Sequence, residues 1–141
     1  MIRGSAAVPD SSLAGVLDTC TFIDLGAIDP GVLPEYPELT AVTLAELHHG
    51  VAMARDAATR AARTEVLGQA VTDFDPLPFD RDAAARYGTL VALVMSAGRD
   101  PRPRRMDLMI AASASSRGLP LYTRNAADFE GLDEVLTVKA V

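Results

Sequence analysis

Residues 15–19 read Gly15-Val16-Leu17-Asp18-Thr19, a short apolar run followed directly by an acidic residue and a hydroxyl residue. Such a run predicts a buried strand that leads into a loop, with Asp18 at the carboxyl end of the strand. Further along the chain, short apolar segments alternate with longer segments whose apolar residues recur at helical spacing. This alternation predicts an α/β fold, with a central, mostly parallel sheet of four to five strands and helices on both faces.

The other predicted elements follow from the same periodicities and from helix start and stop signals. Asp80 is the type of residue that caps a helix, and Gly118 and Pro120 end one. Segment 75–79 is too rich in proline for a central strand and fits an edge strand or a connection. The predicted strands after the first cover 39–42, 119–123 and 135–138, and the predicted helices cover 43–54, 57–71, 83–97 and 107–117.

Length and composition bound the class of protein. The 141 residues have the size of one ordinary domain, which we place at 15–141 after a loose N-terminal arm at 1–14. No apolar run approaches the length of about 20 residues that crosses a bilayer, and no signal-peptide pattern is present. The one cysteine, Cys20, cannot form an internal disulfide, and we expect it to be a small buried side chain. These features predict a cytoplasmic protein that does not associate with membranes.

The excess of acidic over basic residues restricts the possible partners without excluding a nuclease. A net charge of −6 argues against broad, non-specific nucleic-acid binding, since such binding depends on Lys and Arg neutralising phosphates. Carboxylates that hold a divalent cation also count as negative in such a tally, although the bound ion offsets them in the working protein. The charge alone therefore decides nothing about function.

Four acidic residues fall where an α/β sheet carries its functional groups, just beyond the carboxyl ends of strands. Each also has an ordinary structural interpretation. Asp18 could cap the segment that follows it, and Glu46 could complete a capping box with Thr43. Asp107 suits a helix start, where the macrodipole favours negative charge, and Asp128 suits a polar turn.

The combination of the four acids is more informative than any one of them. All four map to the same edge of the predicted sheet, and like charges brought that close are tolerated best with a cation among them. Oxygen ligands with no His or Cys nearby point to Mg²⁺ or Mn²⁺ rather than to zinc. The associated chemistry is attack by a metal-activated water on a phosphodiester.

Competing motifs are missing from the sequence. Neither the dinucleotide-binding glycine pattern nor the P-loop pattern is present, and no second Asp lies two residues after Asp18. The histidines, His48 and His49, fall in the middle of a predicted helix, where we expect them to face solvent or a partner. A Ser–His or Cys–His nucleophile is therefore disfavoured.

These residues resemble the PIN-domain family, in particular the VapC-type toxins of bacterial VapBC toxin–antitoxin pairs. The resemblance runs from about residue 15 to the end of the chain and includes four acidic motifs in order. It departs from the family pattern at Cys20, where Ser or Asn is usual, and at Met106, where Asn is common. The four matching segments are 16–23 (VLDTCTFI), 42–51 (VTLAELHHGV), 105–112 (RMDLMIAA) and 121–129 (LYTRNAADF).

The resemblance implies a PIN-like fold and a role for each matching residue. The function it implies is that of a type II toxin, an Mg²⁺- or Mn²⁺-dependent endoribonuclease that cleaves single-stranded regions of RNA. It also implies a homodimer and a VapB-type antitoxin that inserts a peptide into the active-site groove. Carried over residue by residue, it makes Asp18, Glu46 and Asp107 the core metal ligands, Asp128 a fourth acid acting directly or through water, and Thr123 and Asn125 polar supports.

Two further questions remain open from the sequence. Arg99, Arg102, Arg104 and Arg105 flank the third acid and could hold RNA phosphates, or they could form an ordinary solvated loop. The rival functions are a PIN-like scaffold that binds RNA or a partner without cleaving, and a phosphohydrolase that acts on small molecules. A scaffold has no need to keep repulsive carboxylates together, which favours the nuclease.

Overall fold

The computed structural model describes residues 13–141, in which a four-stranded sheet forms the framework. The strands are β1 (Ala14–Leu17), β2 (Tyr36–Glu38), β3 (Leu121–Thr123) and β4 (Val138–Ala140), in the order β2-β1-β3-β4. Each pairing between these strands is parallel, which confirms the predicted parallel α/β sheet. The predicted loose arm lies outside the described residues except for its last two, of which Ala14 belongs to β1.

Helices supply the crossover connections that parallel strands require. The connections between helices and strands also contain short 3₁₀ turns, at Leu25–Ala27, Pro30–Val32, Arg102–Arg104 and Ala126–Phe129. The Asp80 side chain accepts a hydrogen bond from the Ala83 N–H at 3.0 Å, which confirms the predicted cap. No helix within residues 13–141 is long and apolar enough to cross a membrane. The helices are α1 (Thr19–Ile23), α2 (Ala41–Ala52), α3 (Ala57–Asp73), α4 (Arg81–Ser96) and α5 (Arg105–Ser115).

The core has two layers, one on each face of the sheet, because successive residues of a strand point to opposite faces. Val16 of β1 packs in one cluster with Leu90 of α4 and Leu108 of α5. Leu17, the next residue, packs in the other cluster with Phe22 of α1 and Leu47 of α2. Both strand residues are fully buried, so β1 anchors both layers and holds its carboxyl end in a fixed position.

Gly15 allows this anchoring because the ring of Tyr122 on neighbouring β3 lies directly against it. A Cβ at position 15 would overlap that ring and would also press on Pro34 at 3.1 Å. A side chain larger than hydrogen therefore cannot be placed there without moving the Tyr122 ring or Pro34.

The predicted strand at 39–42 is wrong, because the strand ends at Glu38 and α2 begins at Ala41. The N-terminal cap of α2 is Thr40, whose hydroxyl accepts from the Thr43 N–H at 3.2 Å. Proline at position 37 hid this strand from sequence reasoning. β2 is one of the two edge strands of the sheet, where a missing backbone N–H is tolerated.

Other element boundaries also differ from the predictions by a few residues. The predicted strand at 135–138 begins only at Val138, since the N–H groups of Val135 and Leu136 both bond to the Leu132 carbonyl in a turn. Segment 75–79 agrees with its prediction, since it is a connection with one isolated parallel bridge between Thr40 and Leu77. Finally, α5 begins two residues before the predicted start, because the 3₁₀ turn at Arg102–Arg104 runs directly into it.

Candidate active site

The candidate site lies at the carboxyl edge of the sheet, where five elements converge. Asp18 directly follows β1, and Thr123 is the last residue of neighbouring β3. Glu46 comes from α2, Asp107 from the first turn of α5 and Asp128 from the 3₁₀ turn after β3. This is the edge at which the sequence predicted the acids, and open parallel sheets place ligands there.

Asp18 is held in place by hydrogen bonds to both of its carboxylate oxygens. Its Oδ1 accepts from the Thr21 N–H at 2.9 Å, and its Oδ2 accepts from the Thr123 hydroxyl at 2.6 Å. The first of these bonds is the helix cap that the structural interpretation predicted, and Asp18 is only 4% exposed. Each carboxylate oxygen has two lone pairs, so these bonds leave Asp18 able to bind a cation as well.

Glu46 is held by a chain of threonines rather than by a capping box. The Thr19 hydroxyl donates to Glu46 Oε1 at 2.6 Å and lies 3.0 Å from the Thr43 hydroxyl. Because Thr19 has a single proton and gives it to Glu46, Thr43 must donate to Thr19. The predicted capping box of Thr43 and Glu46 is wrong, since Thr40 caps α2 and both residues lie inside the helix. We call Asp18 and Glu46 the hydroxyl-held pair.

Asp107 and Asp128 are held differently, by an arginine. The two terminal nitrogens of Arg104 reach one carboxylate each, at 2.9 Å for Asp128 Oδ1 and 3.7 Å for Asp107 Oδ2. Asp107 makes no side-chain cap for α5, but it lies in the first turn of that helix, as the helix-start interpretation predicted. We call Asp107 and Asp128 the arginine-held pair.

The charges of the two pairs interact. Burial raises the pKa of Asp107 above its ordinary value, and the carboxylates of Glu46 and Asp18 raise it further. Arg104 lowers this pKa, and Asp128 raises it. A carboxyl group whose ionised form is disfavoured by burial and by like charges gains from a nearby cation. The acids therefore form one electrostatic group.

The donor set fits a hard divalent cation in its chemistry. All four side chains offer carboxylate oxygen, the ligand that Mg²⁺ and Mn²⁺ prefer. Within residues 13–141, neither Asp18 nor Glu46 forms an ion pair with a basic residue. In the same residues, no three His, Cys, Asp or Glu side chains lie close enough together to hold one ion. Binding would therefore require side-chain rotations that bring the pairs together, and the ligand set stays a prediction.

The predicted polar supports and the arginines of the loop differ in their hydrogen-bond and ion-pair partners. Thr123 is fully buried and accepts from the Asn125 N–H at 2.9 Å while donating to Asp18. The contribution of Asn125 is thus its backbone, and its side chain is exposed. Arg99 donates to the Glu130 carbonyl at 3.2 Å, and Arg102 forms an ion pair with Asp100 at 2.9 Å.

Two open grooves reach the acids. One, of about 420 Å³, is lined by the acids Glu46 and Asp107 together with Arg102 and Arg105. The second, of about 550 Å³, is mainly apolar and is lined by residues of α1, α2 and α3, among them Thr19 and Glu46. Exposed His49 lines this second groove, in agreement with the predicted solvent- or partner-facing position of the histidines.

Sequence reasoning misjudged Cys20 and did not identify Thr19 as a functional residue. Cys20 is exposed rather than buried, because Thr21 and Phe22 take the inner face of the short helix α1. Partial burial raises the pKa of its thiol, and nearby Asp18 raises it further, so the reactive thiolate is disfavoured. Thr19 holds Glu46, and its place directly after Asp18 was the one signal that could have identified it.

Comparison with known proteins adds an independent observation. No family model matches the chain. The chain is 40% identical over 131 residues to Ribonuclease VapC5 of Mycobacterium tuberculosis, which covers 91% of this chain and 94% of that protein. Ribonuclease VapC8 of the same species is 37% identical over 103 residues, or 71% of this chain and 89% of that protein. The crystal structure of VapBC-5 from M. tuberculosis matches with a TM-score of 0.77 at 39% identity, covering 92% of this chain and 98% of that chain.

This chain belongs to the VapC family of ribonucleases. Family membership confirms the resemblance drawn from the four acidic motifs, together with the PIN-type α/β fold. It also confirms the predicted class of enzyme, an endoribonuclease that acts as a toxin, and it disfavours the scaffold and the small-molecule phosphohydrolase. The geometry of the VapC acids, rather than the family name, suggests how the reaction is carried out.

Proposed function

We propose that this VapC-type chain is an Mg²⁺- or Mn²⁺-dependent endoribonuclease that cuts single-stranded regions of RNA. Asp18, Glu46 and Asp107 are the core metal ligands, and Asp128 is a fourth acid that acts directly or through water. One observation carries the proposal: four carboxylates converge on one edge of the sheet, and two of them, the hydroxyl-held pair, have no basic partner among residues 13–141. Such a group of charges is stabilised by a cation.

The protein's own carboxylates would hold the ion, and neighbouring groups orient those carboxylates. The bound ion would supply the charge that makes a water molecule nucleophilic and stabilises the developing phosphorane charge. Thr123 and the Thr21 N–H fix both oxygens of Asp18, and Thr19 fixes one oxygen of Glu46. Side chains that are oriented in advance need no reorganisation during the reaction, which is the main source of such electrostatic catalysis.

We further propose that RNA lies in the groove between the acids and the basic loop. Arg102 and Arg105 line that groove together with Glu46 and Asp107, so their guanidinium groups could hold phosphates next to the scissile bond. Arg99 lies at the start of the same loop. The small number of basic groups agrees with selective rather than broad RNA binding, given the net charge of −6.

A protein partner is also part of the proposal. The VapBC-5 structure belongs, by its description, to the VapBC family of toxin–antitoxin systems. We infer that this chain is the toxin of a type II pair and that a VapB-type antitoxin silences it by inserting a peptide into the active-site groove. The mainly apolar groove of about 550 Å³ beside Glu46 is the candidate place for such a segment. We also propose a homodimer and a cytoplasmic location.

The experiment is cleavage of an RNA with single-stranded loops by antitoxin-free protein, with Mg²⁺, with Mn²⁺ and with chelator. We expect cuts that need a divalent ion and that fall by at least about 100-fold in Asp18→Asn, since the ion contributes several kcal/mol to the reaction. Asn can keep the cap bond from the Thr21 N–H, so the fold should survive. Asp29→Asn is the matched control, because Asp29 likewise caps a short turn, at 2.9 Å from the Gly31 N–H.

Either of two results would contradict the proposal. Cleavage that persists in chelator would remove the metal requirement, and full activity of Asp18→Asn would remove Asp18 from the ligands. A folded wild type that binds the RNA without cutting it would favour the non-catalytic scaffold instead.

A further inference from the structure

Arg104 occupies a distinctive position in the candidate site. It ends the 3₁₀ turn at Arg102–Arg104, and α5 begins at the next residue. Its two terminal nitrogens bridge two acids that are 21 residues apart in the chain, Asp107 and Asp128. The bridge joins the start of α5 to the turn that follows β3.

The neighbouring arginines of the loop do not share this role. Arg102 pairs with Asp100, two residues away, and Arg99 donates to the backbone carbonyl of Glu130. Among residues 13–141, Arg104 is the basic residue that forms ion pairs with site acids. The guanidinium is thus positioned on the same oxygens that a metal ion would need.

We propose that Arg104 is an internal counter-cation that occupies Asp107 and Asp128 in the metal-free protein and that a divalent ion must displace. This inference rests on the proposed metal-dependent function. The guanidinium reduces the repulsion between the two carboxylates while no ion is bound. When the ion binds, both cations cannot keep the same oxygen of Asp107, so Arg104 must rotate away.

The surroundings of Arg104 make such an exchange feasible. Its side chain is 41% exposed, so water can solvate the guanidinium as it leaves. Ion pairs that are this accessible contribute little to stability, and a divalent ion can break them. Arg104 therefore lowers the affinity for the ion without preventing binding, and it is a positioning residue rather than a catalytic one.

The test is titration of the purified full-length protein with Mn²⁺ alone, followed by isothermal calorimetry and by the shift in melting temperature. The variants are Arg104→Gln, which removes the counter-cation, and Arg104→Lys, which keeps the charge but cannot bridge two acids with one planar group. Arg102→Gln is the matched control, since it removes the same charge from the same 3₁₀ turn without touching a site acid.

We expect Arg104→Gln to bind Mn²⁺ about two- to tenfold more tightly than wild type, which corresponds to the loss of two accessible ion pairs. Its melting temperature should rise more on metal addition, because the metal-free carboxylates now repel each other. Arg104→Lys should fall between wild type and Arg104→Gln. Arg102→Gln should change the affinity by less than about twofold, since exposed charges that are not in contact are screened.

The possible failures are distinguishable. If wild type binds Mn²⁺ and Arg104→Gln binds it equally or more weakly, the counter-cation is overturned while the metal-dependent function stands. An equal increase in Mn²⁺ affinity in Arg102→Gln would also overturn it, because the loss of any positive charge near the site would then explain the effect. If none of the folded variants binds Mn²⁺, the proposed function and this inference fail together. Should Arg104→Gln fail to fold, an affinity of Arg104→Lys no higher than that of wild type would overturn the inference.

Discussion

The hydroxyl-held pair and the arginine-held pair keep like charges at one sheet edge by different means. Asp18 is 4% exposed and follows a fully buried strand end, and Glu46 accepts from a threonine inside the helical layer. Asp107 and Asp128 are more exposed than Asp18, with side chains 34% and 25% exposed, and they share Arg104. The buried Asp18 is thus held by neutral donors alone, whereas the more exposed Asp107 and Asp128 share a cation.

The comparison shows why one pair is held by hydroxyl groups and the other by a guanidinium group. Burying an arginine beside Asp18 would cost the desolvation of a second charge, which its ion pair would not reliably repay. Neutral hydroxyls orient the carboxylates without cancelling their charge, so the full attraction for a metal ion remains. At the more exposed positions a guanidinium is readily solvated, and the ion pair can form and break.

The largest effect on the cleavage rate is expected within the arginine-held pair, from Asp107→Asn compared with Asp128→Asn. Asp107→Asn should reduce the cleavage rate by at least about 100-fold, because it removes a core ligand. Asp128→Asn should reduce it about tenfold, as expected for an acid that can act through water. The measurement is the single-turnover rate on one RNA under saturating Mg²⁺. Equal losses in both variants would abolish this distinction.

Asp107→Asn also has an expected effect on the fold. Burial and neighbouring carboxylates raise the pKa of Asp107, so its ionised form is disfavoured in the metal-free protein. The neutral Asn should therefore leave the metal-free protein equally stable or slightly more stable in urea unfolding. A clearly destabilised variant would mean that the ion pair with Arg104 outweighs the repulsion.

The next effect concerns the hydroxyl that holds Asp18. Thr123→Val keeps the shape of the side chain but leaves Asp18 Oδ2 and the Asn125 N–H without their partner. We expect the free energy of unfolding to fall by about 1–3 kcal/mol, as for other buried polar groups that lose a partner. The measurement is urea unfolding of the metal-free protein. Thr137→Val, at an exposed threonine just before β4, is the control and should be near neutral.

The smallest effect is expected at Thr19, because it is only partly buried and water can replace its hydroxyl. Thr19→Val removes the donor to Glu46 Oε1 and should slow cleavage by about two- to fivefold, equivalent to one ordinary hydrogen bond. Thr19→Ser keeps the hydroxyl and should retain the wild-type rate. If Thr19→Ser were as slow as Thr19→Val, the methyl group rather than the hydrogen bond would matter.

Local patterns in the sequence were sufficient to predict the class of fold and the edge at which the acids meet. The apolar run before Asp18 predicted β1, and the helical periodicities predicted the four longer helices to within a few residues. They failed where the signal was weak: Pro37 concealed β2, and the three-residue strand β4 is exposed over most of its length. Short edge strands depend on pairing with a neighbour, which a local pattern does not contain.

The sequence by itself determined the parallel sheet and the four acids beyond its strands, because periodicity and order along the chain are local properties. The tertiary structure alone decided which groups the acids contact. Thr123 meets Asp18 across 105 positions of the chain, and Arg104 rather than Arg102 reaches Asp128. These contacts depend on the register between β1 and β3 and on the direction of a 3₁₀ turn. Both are set by packing between segments that are distant in the chain, so no local spacing could predict them.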